Sequence, residues 1–313
     1  MKKVLAAALL ACISVFCSCN KFTIGNDKTV TLTAGEGFQV IEFRDDVNVS
    51  LLHCDAEHQA GEIQIKAGKN LIDNINVEIQ QSTDTVEGNI LNKLVISNNN
   101  SLNYFHSYNY SIDMTIYYDS LYHLIFNSNA RNFSTDTLRG YNYPTHFTQD
   151  TIEWDSIAPN LLIEIEGGSG EFNILANCYK LIAKCIHGTS DITIKGKTSI
   201  ASTFADYDCH GIIDSKQLNS HIHYITTYGT NTIKAKAYHL LDVKNGNIGE
   251  VHYLRYWTTR EEYSWNDSLH QTDTIIQRIL CPEAIRYNGE YINIWTYNNM
   301  DNSIPGLVRD DDP

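Results

Sequence analysis

The 313-residue sequence has no cluster of basic residues, no window of helical length with apolar side chains at three-four spacing, and no cysteine pair at C-x-x-C spacing. Each absence excludes something. With 23 Lys and Arg against 37 Asp and Glu, the formal charge is -14. This argues against nucleic-acid binding, which draws on neutralising phosphates with basic side chains. Beyond Cys19 the cysteines are Cys54, Cys178, Cys185, Cys209 and Cys281, an odd set that signals neither a zinc site nor a disulfide framework. They read as small buried apolar residues, although one stacked pair among them has room to be bridged. Length alone allows two domains. Yet there are only five prolines and no Pro- or Ser-rich linker, so one continuous body over 35–298 is expected. No metal or cofactor is implied.

What is present begins with "MKKVLAAALLACISVFCSC". Lys2 and Lys3 precede an apolar stretch from Val4 to Phe16, too short to span a bilayer, which needs about 20 residues, and of the length of a secretory signal's apolar segment. A cysteine stands where the mature chain would begin, which resembles the lipobox of bacterial lipoproteins. In those proteins a small residue precedes the modified cysteine. Cys17 follows Phe16 whereas Cys19 follows Ser18, so the resemblance implies residues 1–19 as a signal region with Cys19 as the lipidated residue. The multiple acyl chains would suffice for stable membrane anchoring. Asn20 after the cysteine, by resemblance to Gram-negative sorting rules, implies the outer membrane. Residues 20–34 read as a tether and 299–313 as a polar tail.

Between them, short runs such as "FQVIEF", "EIQIKA", "LLIEIE", "DITIKG" and "EVHYL" alternate apolar with polar residues, the period-two signature of strands. Asn, Asp, Gly and Ser at run ends supply turns. Units beginning at Leu161, Lys180, Ser199, His221 and His239 each hold two strand-like pieces and recur about every 20 residues, in the range of solenoid coils. Such coils bury their apolar faces by stacking. The expected fold is all-β, a parallel β-solenoid, with Ile192, Ile194, Ile213, Ile233 and Val251 pointing inward and an insertion near 257–277.

The segment from Phe38 to Gln80 sharpens this reading. Phe38 and Ile41 form an aromatic-led first strand, and Asp46, Val47 and Asn48 a following turn. Ala67, Asn70, Leu71, Ile72, Asp73 and Ile75 form an "A-x-x-N-L-I-D-x-I" stretch, with "KLVISN" after it and "GNIGEVHYL" near the end. In this order they resemble the head GIN domain family of auto-transporter adhesin-like proteins, over roughly residues 35–295. The resemblance implies a β-solenoid exported to the cell envelope, with adhesion as its proposed role and no enzymatic residues to carry over.

Candidate site residues come from two sources. Nineteen tyrosines cluster at Tyr104, Tyr108, Tyr110, Tyr117, Tyr118 and Tyr122, and again at Tyr141 and Tyr143. A tyrosine offers a flat apolar face and a hydroxyl suited to sugars and protein partners, so the first six are the candidate ligand-binding set. Asp206, Asp208 and His210 alternate in "FADYDCHG", a pattern open to calcium, to acid-base work on sugars, or simply to a solvated face. His221 and His223 share strand parity but lack a third ligand, which favours a solvated face. The expectation is a non-enzymatic, lipid-anchored scaffold with a glycan or protein ligand. The alternatives are a carbohydrate-active β-helix enzyme, a lyase or hydrolase, and a purely structural envelope component.

Overall fold

Period-two alternation sets the burial pattern. In the strand Glu171–Gly188, Phe172, Ile174, Ala176 and Cys178 are buried while Glu171, Asn173, Leu175 and Asn177 between them are exposed, as the pleat requires. The computed structural model describes residues 25–35, 37–86, 88–100, 111–127, 133–141, 161–266, 271–292 and 304–311. In chain order they form β1 (Asp27–Thr33), β2 (Val40–Arg44), β3 (Asn48–His53), β4 (Glu62–Gly68), one helical turn α1 (Lys69–Ile72), β5 (Ile75–Val86), β6 (Asn89–Asn98), β7 (Asp113–Tyr118), β8 (His123–Asn127) and β9 (Phe133–Arg139). The second half contains β10 (Leu161–Gly167), β11 (Glu171–Gly188), β12 (Asp191–Cys209), β13 (Ile212–Thr227), β14 (Thr232–Ala235), β15 (Leu240–Asn245), β16 (Glu250–Asn266), β17 (Gln271–Cys281), β18 (Ala284–Tyr287), β19 (Glu290–Ile292) and β20 (Leu307–Asp311).

The repeat units of the second half pair in parallel. Leu161 lies beside Leu181, Leu181 beside Ala201, Ile192 beside Ile213, Ile213 beside Ile233, and Ile233 beside Val251. Ile192, Ile194, Ile213, Ile233 and Val251 are all buried, on the inward face that alternation assigned to them. Glycines permit the close stacking at certain corners. Gly196 holds φ +113°, and a Cβ there would lie 2.0 Å from the Ala176 carbonyl oxygen of the preceding turn.

The sheet as a whole is mixed, and this corrects the expectation of a purely parallel stack. β4 pairs antiparallel with β1 and β7, β5 with β6, β16 with β17, and β18 with β19. The physical reason is connection length. Parallel neighbours need a crossover of a dozen or more residues, whereas a two-residue turn joins antiparallel strands. Asn288 and Gly289, both at positive φ, make such a turn between β18 and β19. Residues 257–277, expected as an insertion, fall in the β16–β17 hairpin, where Tyr256 opposes Cys281 and Asn266 opposes Gln271. Within the segment expected as a tether β1 is paired along its length with β4, and within the expected tail β20 runs beside β16 with Leu307 buried.

One apolar core runs from Phe38 to Leu307. In the earlier turns aromatic rings fill it: Phe126 stacks on Phe43 at 5.2 Å and lies 4.6 Å from both Phe133 and Phe172. Farther along, Ile, Ala and Val occupy the equivalent rows. Burying each such large side chain contributes about 1.5–3 kcal/mol. Cys185 and Cys209, both buried, are joined by a disulfide across a Cα distance of 6.2 Å. This resolves which pair is bridged and agrees with an exported protein, since disulfides persist in oxidising compartments.

Candidate functional site

Register, not sequence proximity, assembles the outward face. One row passes from Val40 through His123, Leu162, Ile182, Ser202 and Tyr224 to Asp242 and Arg286. Two residues along each strand, a second row passes from Glu42 through Ile125, Glu164, Lys184, Phe204 and Thr226 to Lys244. Apolar and hydroxyl side chains occupy the middle of the face, and charged groups gather at its two ends.

At the later end lies a groove of about 540 Å³, lined by Tyr224, Asp242, Lys244, Asn245, Arg286 and Asn288 among others. Arg286 donates from Nε to Asp242 Oδ2 at 3.0 Å and again from Nη2. This bond to the carboxylate holds the guanidinium pKa above its ordinary value. The Asn288 side chain accepts from the Asn245 backbone N–H at 2.9 Å, fixing the β18–β19 turn against the groove floor. Lys244 is exposed and stands over the Tyr228 ring at 6.0 Å. Tyr228 in turn stacks on exposed Tyr207 at 5.2 Å and meets Phe204 edge-on. The groove thus combines fixed hydrogen-bonding groups, one aromatic ring, Tyr224, and a cation, while Tyr228, Tyr207 and Phe204 lie outside its lining.

At the earlier end the charges are buried and paired with one another. His123 Nδ1 is 2.8 Å from Asp84 Oδ2, and Nε2 lies 3.2 Å from Glu164 Oε2 as a charge contact and not an aligned hydrogen bond. Burial pulls the imidazole pKa down, but the two carboxylates outweigh it and hold His123 above its ordinary value. Asp84 and Glu164 are held below theirs, chiefly by their contacts to His123. Glu42 takes Lys93 at 2.5 Å and also Arg44. For Glu42 burial is the largest influence and pushes its pKa up, yet the two cations together bring it below the ordinary value.

The structure distributes the expected site residues differently. Cys19, Tyr104, Tyr108, Tyr110 and Tyr143 lie outside the described residues. Tyr118 is fully buried and donates to Asp136 at 2.8 Å, so it presents no face to a ligand. Tyr117 is 7% exposed and stacked on His58 at 4.1 Å. Tyr122 is half-buried, packed edge-on against His123. Asp206, Asp208 and His210 do not converge: a bulge opposite Cys185 and His187 breaks the strand parity, Asp208 meets His187 at 3.3 Å, and His210 meets Thr230. Among the described residues no group of three or more His, Cys, Asp or Glu side chains is placed to hold a metal ion. His223 is not on a solvated face. It is buried against Thr203 Oγ1 at 2.9 Å, and burial lowers its pKa to about 4. His221 stacks on His239.

Sequence reasoning missed the groove because Asp242 and Arg286 meet across 44 residues of chain. The available signal was the run "ITTYGT" ending a unit and "YNGE" announcing a hairpin, each unremarkable alone.

The fold is an all-β repeat built on one mixed sheet, with a partly polar outward face. The family model described as "Putative auto-transporter adhesin, head GIN domain" matches residues 37–255, and the chain belongs to that family. Arg286 and Asn288 lie beyond the matched segment. The chain is similar to the crystal structure of "a putative adhesin" from Bacteroides fragilis NCTC 9343, at 16% identity and a TM-score of 0.53, covering 73% of this chain and 88% of that one. A "putative lipid binding protein" from Parabacteroides distasonis ATCC 8503 is 14% identical over 74% of this chain and 90% of that one, with a TM-score of 0.45. At 16% identity the likeness to the Bacteroides fragilis structure shows the fold. No curated protein matches the chain.

Proposed function

We propose that this protein is a lipid-anchored envelope scaffold that binds an extracellular glycan in the groove between Tyr224 and Arg286 and does not turn it over. The groove carries the reading: the Tyr224 ring, a guanidinium fixed by Asp242, and amide side chains supply the ring-stacking and hydroxyl-directed contacts that a sugar needs. Its lining contains one carboxylate, Asp242, tied to Arg286. A glycosidase needs two carboxyl groups across the scissile bond, so this arrangement favours binding over hydrolysis. The family's description as an adhesin head supports placement at the cell envelope.

In this reading Cys19 carries the acyl chains and holds the protein on the outer membrane of a Gram-negative cell. Among the described residues no helix is long and apolar enough to cross a membrane. The parallel turns from Leu161 to Val251 are taken as β-solenoid coils whose outward face carries the groove. A glycan array probed with wild type, Tyr224→Ala and Arg286→Ala tests the proposal. Saturable binding lost in both variants, with no released sugar, is the expected result; product release, or binding unchanged in both, defeats it.

A further inference from the structure

We infer that the groove is selective for an acidic oligosaccharide, one bearing sugar carboxylates, laid across the strands of the outward face. The inference rests on the glycan reading above and adds the class of sugar.

The first argument is the local charge balance. Three ionisable groups line the groove, Asp242, Lys244 and Arg286. Arg286 neutralises Asp242 through two donors. Lys244 is then one cation in excess, exposed beside the Tyr228 ring, on a chain whose net charge is -14. A neutral sugar would leave that cation to water and the Tyr228 ring, whereas a carboxylate at the groove gives it a charge-assisted hydrogen bond, the stronger kind.

The second argument is spacing. From Lys244 the outward row steps through Thr226 and Phe204 to Lys184. Three strand steps at about 4.8 Å each separate the two lysines by about 14 Å, and each step is close to the length of one sugar ring in an extended chain. Phe204, half-buried between the two lysines and edge-on to Tyr228, supplies an apolar contact for the intervening rings. Lys184 stands 3.9 Å from Glu164 and is 37% exposed, so it is a weaker second point than Lys244. The overall negative charge repels long polyanions, which makes short oligomers the fitting ligands.

The test uses the full-length protein in detergent micelles and isothermal titration with short oligomers of galacturonate, mannuronate and glucuronate-containing hyaluronate, each beside its methyl-esterified form. Wild type is expected to bind at least one acid oligomer tenfold or more tightly than its ester. Lys244→Gln, a change at an exposed side chain, brings acid binding down to the ester level, while Lys28→Gln on the distant β1 leaves the preference intact. Tyr224→Ala weakens both forms together. Equal binding of acid and ester by wild type overturns the acidic preference and leaves the glycan reading standing. A preference that survives Lys244→Gln overturns this site for the carboxylate. Absence of binding to every acid and ester overturns both.

Discussion

His123 Nδ1 stands 2.8 Å from Asp84 Oδ2, fastening β5 to β8 across 39 residues of chain. The same ring faces Glu164 on β10 at 3.2 Å, and Ser82 donates to Asp84 at 2.9 Å. β5, whose ladder among the described residues is with β6 alone, is thereby tied also to the parallel rows.

This cluster makes stability depend on pH in both directions. The folded pKa of His123 lies above its ordinary 6.5, so its contribution is complete below that value and is lost as pH rises through the folded pKa. Asp84 and Glu164 lie below their ordinary 3.8 and 4.5, so theirs is complete above those values and is lost as pH falls through the folded ones. Stability from the cluster is therefore greatest between about pH 4.5 and 6.5. Asp84→Asn costs about 1.5–3 kcal/mol there, the range for hydrogen bonds to charged groups. Urea unfolding across pH checks this, and an alkaline limb as steep in His123→Gln as in wild type would contradict it.

The Cys185–Cys209 bridge spans a sequence separation of 24. Closing a loop of that size in the unfolded chain stabilises by about 3 kcal/mol in the entropic account. The Cys185→Ala, Cys209→Ala double variant should lose that amount in denaturant unfolding. Peptide mapping without reductant should yield one cross-linked pair, and alkylation of the native protein should reach half-exposed Cys54 before buried Cys178 and Cys281. An unlinked Cys185 in the exported protein refutes the pairing.

Gly196 and Gly35 separate two penalties. Both hold positive φ, +113° and +89°, but a Cβ at Gly196 meets the Ala176 backbone oxygen whereas at Gly35 nothing lies within 4 Å. Gly35→Ala should cost only conformational strain, about 1–3 kcal/mol. Gly196→Ala must also push β11 and β12 apart, and should exceed it clearly in thermal unfolding. Equal losses would show that these strands separate without cost.

Cys19→Ser should abolish metabolic palmitate labelling and release the protein from the membrane fraction, because acyl chains supply about 0.8 kcal/mol per buried methylene. Cys17→Ser should leave both unchanged. Label retained in the Cys19 variant, or wild type wholly in the soluble fraction, refutes the assignment.

Inward positions were legible in the sequence wherever alternation was strict. Ile192, Ile194, Ile213, Ile233 and Val251 are buried, and their strands pair in parallel at the repeat spacing. Legibility failed where a residue's parity was right but its environment was set by another turn of chain. His223 reads like His221 in "HIHY", yet one lies in the core against Thr203 and the other flanks His239. Tyr118 resembles its neighbours in composition, but its strand parity turns it inward to Asp136. The short connections of the first half, which make β4 and β5 antiparallel, were present in the sequence as turn residues without any mark of which neighbour each strand would choose.

By itself, then, the chain's alternation and repeat determined strands and inward side chains, because period and turn chemistry are local properties of neighbouring residues, and the ordered motifs from Phe38 onward carried the resemblance to the family. Which cysteines bridge, which histidine is buried, and that Tyr224, Asp242, Lys244 and Arg286 share one groove were decided only by the tertiary structure. Those relationships depend on the register between strands about 20 or more residues apart, and register is selected by packing the whole inward face at once, since a one-residue slip would turn every buried side chain outward.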